Sequence, residues 1–292
     1  MKLSVESYTL MQKLGAYEGL KAIKQAGFDC VDMSYYWQED DAPLVGEGYR
    51  EYAHQLRGYL DELGLTCNQA HAPLGFKYHW EFNESTPRYR SIVRAIESAS
   101  ILGARTIVLH SLVLKENSRI IVDRARNFDF FKSLQPVCEK FDIRIAVENL
   151  FAFDEKRNCY RGRLGTPEEL CSFVRELGSP YFVACVDVGH AAMTGTDPEL
   201  FLAGMDATIL QALHIQDGNY REDCHTVPFL GDFPWVEIMH ALKEIGYGGD
   251  LTFEIVKYLR NIPNELLPDA LRFAERVGRH LIAIFEGEID CV

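Results

Sequence analysis

Nowhere in this 292-residue sequence does an apolar run approach the roughly 20 residues that a membrane-spanning helix needs, so no bilayer span is expected. The opening residues, MKLSVESYTL, carry a single lysine and turn polar at once, unlike a signal peptide; the chain reads as cytoplasmic. None of the eight cysteines forms a C-x-x-C pair, and Cys30, Cys67 and Cys185 fall inside apolar runs, which points to buried free thiols rather than a disulfide framework. No P-loop and no G-x-G-x-x-G sequence is present, which leaves a nucleotide cofactor without support. Basic residues are in the minority, 30 against 43 acids, for a net charge of −13 and a pI near 5.2. That balance disfavours broad contact with nucleic acid or an anionic membrane.

What is there is a large apolar fraction, 47%, and no low-complexity segment or composition shift to divide the chain. Eight short, apolar, β-branched runs each end near an acid or a histidine: Glu6, Asp32, His71, His110, Glu148, Asp187, His214 and Glu254. The intervals between these residues are 26, 39, 39, 38, 39, 27 and 40. Each interval accommodates one strand, a loop and one helix. Residues 1–292 are therefore read as a single α/β domain, a (β/α)8 TIM barrel with a C-terminal helix.

Strands are expected at 2–6, 28–33, 65–70, 105–110, 143–148, 181–187, 210–215 and 250–255. Several are apolar on both faces, as parallel strands covered by helices should be. Helices are expected from Tyr17 to Ala26, stopped by Gly27, and from Trp235 to Ile245, stopped by Gly246. Thr166-Pro-Glu-Glu-Leu170 and Asp197-Pro-Glu-Leu200 carry N-cap and N1-proline signals, and Pro268 to Phe285 closes the chain.

In such a barrel the strand C-termini converge on one face, where active sites lie. Glu148, Asp187, His214 and Glu254 end successive strands 5 to 8 and offer three carboxylates and one imidazole. That donor set suits one divalent ion, Mn²⁺ above all, with Mg²⁺, Co²⁺ or Zn²⁺ compatible. His190 follows Asp187 by three residues and is placed to donate to a substrate oxygen. His71 and His110 are expected to hold substrate hydroxyls or a second metal, and Asp223 with His225 forms a further metal or loop site. Glu6 and Asp32 read as structure at the barrel mouth. Trp37, His79 and Trp80 could line the cavity, and the 151–165 loop concentrates Lys156, Arg157, Arg161 and Arg163, which could steer or clamp a phosphate group but are expected rather to be solvated or paired with Asp154 and Glu155. His54, His240 and His280 carry no positional signal.

Together QAHAP, VLHS, AVEN, VDVGHA, ALHIQD, the D-x-H…P…G stretch and YGGDLTFE resemble the xylose isomerase-like TIM-barrel superfamily over essentially the whole chain. That group includes sugar and sugar-phosphate isomerases and epimerases, keto-inositol dehydratases and endonuclease IV. The epimerase branch implies a metal held by Glu148, Asp187, His214 and Glu254, with the two glutamates as the acid/base pair and His190 on the substrate. It implies proton transfer through a metal-stabilised enediolate of a small sugar or polyol, in a chain that could assemble as a dimer or tetramer. The endonuclease branch implies three zinc ions on His71, His110, Glu148, Asp187, His190, His214, Asp223, His225 and Glu254, acting on abasic DNA. Here the motifs read D-V-G-H and H-I-Q-D rather than that branch's D-T-C-H and H-L-N-D, which with the acidic charge turns the expectation toward sugar chemistry.

Overall fold

The structure, a computed structural model, describes residues 1–38, 41–74, 85–112, 114–116, 119–121, 123–153, 159–161 and 164–289. Eight parallel strands form one sheet: β1 (Leu3–Glu6), β2 (Cys30–Ser34), β3 (Thr66–His71), β4 (Thr106–Leu109), β5 (Arg144–Glu148), β6 (Phe182–Asp187), β7 (Leu210–His214) and β8 (Leu251–Phe253). Their order is β7-β6-β5-β4-β3-β2-β1-β8. The ring closes where Ile215 bridges Phe253, with the Glu254 amide donating to the Ile215 carbonyl at 2.9 Å. This is the expected TIM barrel. All eight strands coincide with the runs read from the sequence, and Leu267–Glu286 supplies the C-terminal helix.

Local signals explain the helix limits. Ala16–Ala26 stops at Gly27, whose φ of 108° excludes most side chains. Pro167–Leu177 begins where Thr166 Oγ1 accepts from the Glu169 amide at 3.2 Å. The helices bury an apolar stripe against the outside of the sheet, forming the main core with Leu3, Val31, Ile107, Ile145, Val186 and Phe253. A second, smaller cluster fills the lumen: Val108, Ala146, Val183, Cys185 and Ala212. Two antiparallel hairpins, Leu114–Glu116 with Arg119–Ile121 and Phe151–Phe153 with Cys159–Arg161, are inserted after β4 and β5.

The lumen cluster sets the direction of the site. Side chains on a strand alternate faces, so residues two apart share one. Ala146 therefore points with Glu148, Cys185 with Asp187, Ala212 with His214 and Val108 with His110. Each polar strand-end side chain stands on a small apolar floor, aimed inward at the C-terminal mouth.

The expected free thiols are observed: Cys30, Cys67, Cys138, Cys171 and Cys185 are buried and unpaired. No helix among the described residues is long and apolar enough to cross a membrane.

The loop leaving β7 is organised by one buried carboxylate. Asp217 accepts from the Gly218, Gly231 and Phe233 amides at 2.8, 3.0 and 3.2 Å and from the Trp235 indole at 2.8 Å. A Cβ on Gly231 would lie 2.4 Å from Asp217 Oδ1, so this approach requires glycine. Asp217→Ala leaves those donors without their acceptor, and a loss of about 3 kcal/mol or more is expected in urea denaturation. A loss below about 1 kcal/mol would show that the carboxylate does not hold this loop.

Candidate metal centre

Glu148 ends β5, Asp187 ends β6, His214 ends β7 and Glu254 follows β8 directly. One donor atom from each lies within 4.8 Å of the others, and all four side chains are buried. His214 Nδ1 is 2.9 Å from Glu148 Oε1 and 3.6 Å from Glu254 Oε2. The opposite ring nitrogen, Nε2, is buried without a hydrogen bond and has Asp32 Oδ2 at 3.5 Å. Nδ1 thus faces Glu148 and Glu254 while Nε2 faces Asp32.

Asp187 and Glu254 are each positioned by a neighbour. Asn149 accepts from the Asp187 amide at 2.8 Å through Oδ1 and donates to the Asp187 carbonyl at 2.9 Å through Nδ2. Asp187 in turn caps the short helix Val188–Met193, its Oδ1 accepting from the His190 amide at 2.8 Å. Tyr36 donates to Glu254 Oε1 at 2.6 Å, leaving Oε2 toward His214. Its ring belongs to an aromatic group with Tyr8 and Trp37, and Trp37 is 55% exposed beside the mouth.

The other predicted histidines border the same cluster. His110 Nε2 is 2.6 Å from Glu148 Oε2, and the ring is 29% exposed. His71 donates from Nδ1 to the Ala72 carbonyl at 2.7 Å, which leaves Nε2 toward Glu148 Oε2 at 3.6 Å. Its ring stacks on that of His214 with centroids 5.4 Å apart. His190 donates from Nδ1 to the Asn149 carbonyl at 2.9 Å, so Nε2 faces Asp187 Oδ2 at 4.0 Å and Asp223 Oδ1 at 3.9 Å. His225 is spent at both ring nitrogens: Nδ1 meets the Glu254 carbonyl at 3.0 Å and Nε2 meets Asp223 Oδ2 at 2.7 Å.

Crowding of buried charge sets the protonation states. Burial raises the Glu254 carboxyl to about 8, with Asp187 and Glu148 adding to the effect against His214 and His225. Burial opposes the Glu148 carboxylate too, yet His214 and His110 hold it well below the ordinary value. Burial would lower His225, but Glu254 and Asp223 outweigh it and push the ring to about 10. His190 is raised against burial by Asp187 and Glu148, whereas burial dominates at His71 and lowers it. Glu6 is pushed up to about 7, mainly by burial. A divalent cation is the natural complement to carboxylates this crowded and this far from water.

Sequence reasoning missed four residues of this arrangement. Asp32 was read as mouth structure and instead faces His214, held by Gln69 Nε2 at 2.8 Å. Gln216 and Asn149 each stood in a recognised motif, ALHIQD and AVEN, whereas Tyr36 lies past the end of β2 where no periodicity announces it. His79, Trp80, Asp154, Glu155, Lys156, Arg157 and Arg163 lie outside the described residues, as does the side chain of Arg161.

Comparison with known proteins agrees with this architecture. The family described as "Xylose isomerase-like TIM barrel" matches residues 20–277. A D-psicose 3-epimerase from Enterocloster bolteae is 31% identical over 241 residues, covering 80% of this chain and 74% of that protein. An uncharacterized protein, MJ1311, from Methanocaldococcus jannaschii is 28% identical over 197 residues, 66% of this chain; the match spans only 61% of that protein's length. Among solved structures, a D-tagatose 3-epimerase-like protein superposes with a TM-score of 0.72 at 21% identity, covering 99% of this chain and 100% of that one. An IOLI protein with a bound zinc atom superposes with a TM-score of 0.73 at 16% identity, covering 98% and 99%. At those identities the structural likeness speaks to the fold.

Proposed function

This chain belongs to the xylose isomerase-like TIM-barrel family, and on that premise we propose that it is a divalent-metal-dependent ketose epimerase or aldose–ketose isomerase. The observation that carries the reading is the convergence of Glu148, Asp187, His214 and Glu254 at the barrel mouth, with histidines arranged around them. Three carboxylates and an imidazole fit Mn²⁺, and Mg²⁺, Co²⁺ or Zn²⁺ suit the same donors. When bound, such an ion polarises a carbonyl oxygen and gathers the neighbouring hydroxyl.

The remaining work falls to side chains. Glu148 and Glu254 approach from β5 and from the end of β8, different strands from which they would flank a bound sugar. One takes the proton α to the carbonyl; the other returns a proton to the opposite face of that carbon, giving the epimer. Return to the neighbouring carbon gives the aldose–ketose isomer instead. Tyr36 orients Glu254 through its hydrogen bond to Oε1. His190 and His71 each have Nδ1 tied to a backbone carbonyl, which leaves Nε2 among the site carboxylates as the atom that would meet substrate hydroxyls, and His110 adds a partly exposed third imidazole beside Glu148. The D-psicose 3-epimerase relative supports a free ketose as the first substrate class to try.

Incubation with Mn²⁺ and a panel of ketoses, ketose phosphates, keto-inositols and an abasic DNA duplex tests the assignment, with products separated by chromatography. An epimer or isomer of one sugar is expected. Water loss from a keto-inositol, or scission of the duplex, would replace it with dehydratase or nuclease chemistry.

A further inference from the structure

Two guanidinium groups stand without a carboxylate partner at the end of the barrel opposite the mouth. Arg105 immediately precedes β4 and Arg144 opens β5, neighbouring strands whose register pairs Thr106 with Arg144. The Arg144 amide donates to the Arg105 carbonyl at 3.1 Å, so the two side chains arise next to each other at the N-terminal edge of the sheet, both exposed. Elsewhere Arg50, Arg57, Arg124, Arg175 and Arg279 each reach an acid. Among the described residues, by contrast, the Arg105 side chain has no hydrogen bond or ion pair, and Arg144 has one neutral partner, Gln211, whose Oε1 accepts from Nη1 at 2.6 Å.

Both arginines line a cavity of about 300 Å³ on this face, together with Asn68, Gln69, Gln211 and Asp250. It extends inward to Gln69, which is 3% exposed and donates from Nε2 to Asp32 Oδ2 at 2.8 Å. The acid in the lining is already engaged: Asp250 Oδ1 accepts from the Lys2 amide at 3.3 Å and Oδ2 from Asn68 Nδ2 at 3.0 Å. Asp206, beside the lining residue Ala207, pairs with Arg175. Two cations therefore face one carboxylate that is turned to other donors. The volume suits a small metabolite rather than a bare ion.

We propose that this N-terminal cavity binds the phosphate group of a small molecule between Arg105 and Arg144. A guanidinium presents paired N–H donors that match phosphate oxygens, and Arg144 keeps donors beyond the one it gives to Gln211. The tether to Gln211 also holds that guanidinium in the cavity wall. The proposal goes beyond the metal-centre reading and does not depend on it. Glu148, Asp187, His214 and Glu254 gather at the opposite, C-terminal ends of the strands, so the ligand here is not the substrate bound there.

Titration calorimetry at low ionic strength, where exposed charges are least screened, provides the test. The probes are inorganic phosphate and glycerol 3-phosphate, which has no carbonyl and so cannot be a substrate of the proposed reaction. Both are expected to bind the wild-type chain, the ester more tightly because the cavity has room for its carbons. Arg105→Gln and Arg144→Gln should each weaken binding about tenfold or more, and the double variant should abolish it. Gln211→Glu hands Arg144 a carboxylate in place of an amide oxygen, and a comparable weakening is expected with both guanidiniums still present. Tighter binding of inorganic phosphate than of the ester would name the free anion as the ligand and uphold the site. No binding to the wild-type chain would overturn the proposal. So would binding undiminished in the double variant, which would place the phosphate elsewhere on the molecule.

Discussion

Glu254→Gln is expected to slow substrate proton exchange by about 10²–10⁴-fold at saturating Mn²⁺, the range that a positioned acid/base group contributes. Glutamine keeps the shape and an oxygen able to accept from Tyr36, whose hydroxyl donates at 2.6 Å to Oε1 of the native residue. What it cannot do is carry a proton between solvent and substrate carbon. The loss should therefore fall on kcat more than on KM, because an interaction specific to the transition state is removed. Metal content measured alongside separates lost chemistry from lost ligation. Exchange within about threefold of wild type at full metal occupancy would remove Glu254 from the proposed mechanism.

Removing the metal is expected to abolish exchange outright and to make stability fall more steeply as pH rises. In the metal-free protein Glu254 holds its proton to about pH 8, whereas unfolded glutamate releases it near 4.5. The folded state then binds the extra proton, so stability falls as pH rises through that window. His225 acts in the same direction: its raised pKa of about 10 supports the folded state fully below about 6.5 and ceases to above 10. Glu148 is held low, so its contribution is present above the ordinary glutamate value and is lost on acidification below it. Metal-free melting temperature should therefore decline between about pH 5 and pH 8. A divalent ion must displace the Glu254 proton, so its apparent affinity should climb by up to about tenfold per pH unit over the same range. The increment in melting temperature at fixed, subsaturating Mn²⁺ follows, larger at about pH 8 than at about pH 5.5. An increment that shrinks with pH would contradict the assignment of Glu254 as a ligand.

The barrel was legible because its strands are covered on both faces and read as apolar runs, each closed by one polar side chain. Alternation then carried the inward direction of Glu148, Asp187 and His214 without further information. Strand limits were less sharp: β8 stops at Phe253 and β4 at Leu109, so Glu254 and His110 lie just beyond the strands that aim them. Asp32 was harder to place, since the β2–β3 register shifts between Val31 and Asp32, a backbone irregularity no side-chain pattern announces. Gln216 shares the parity of His214 and could have been placed in the lumen; what spacing could not supply was its contact with Asp223, which depends on the loop leaving β7. Tyr36, past the end of β2, reaches Glu254, past the end of β8, over the intervening strand β1 and 218 residues apart in sequence, so only the assembled fold brings them together. The two hairpins after β4 and β5 were not anticipated, because three-residue strands leave too short a pattern to distinguish from loop.

The central claim is that this site moves a proton on the carbon next to a carbonyl, and solvent isotope exchange measures that step directly. Wild-type protein with Mn²⁺ and a turned-over ketose in deuterium oxide should place one deuterium at the inverted or isomerised carbon, seen by proton NMR, and chelation should stop it. Conversion without solvent deuterium, or undiminished exchange in the chelated protein, would contradict the account.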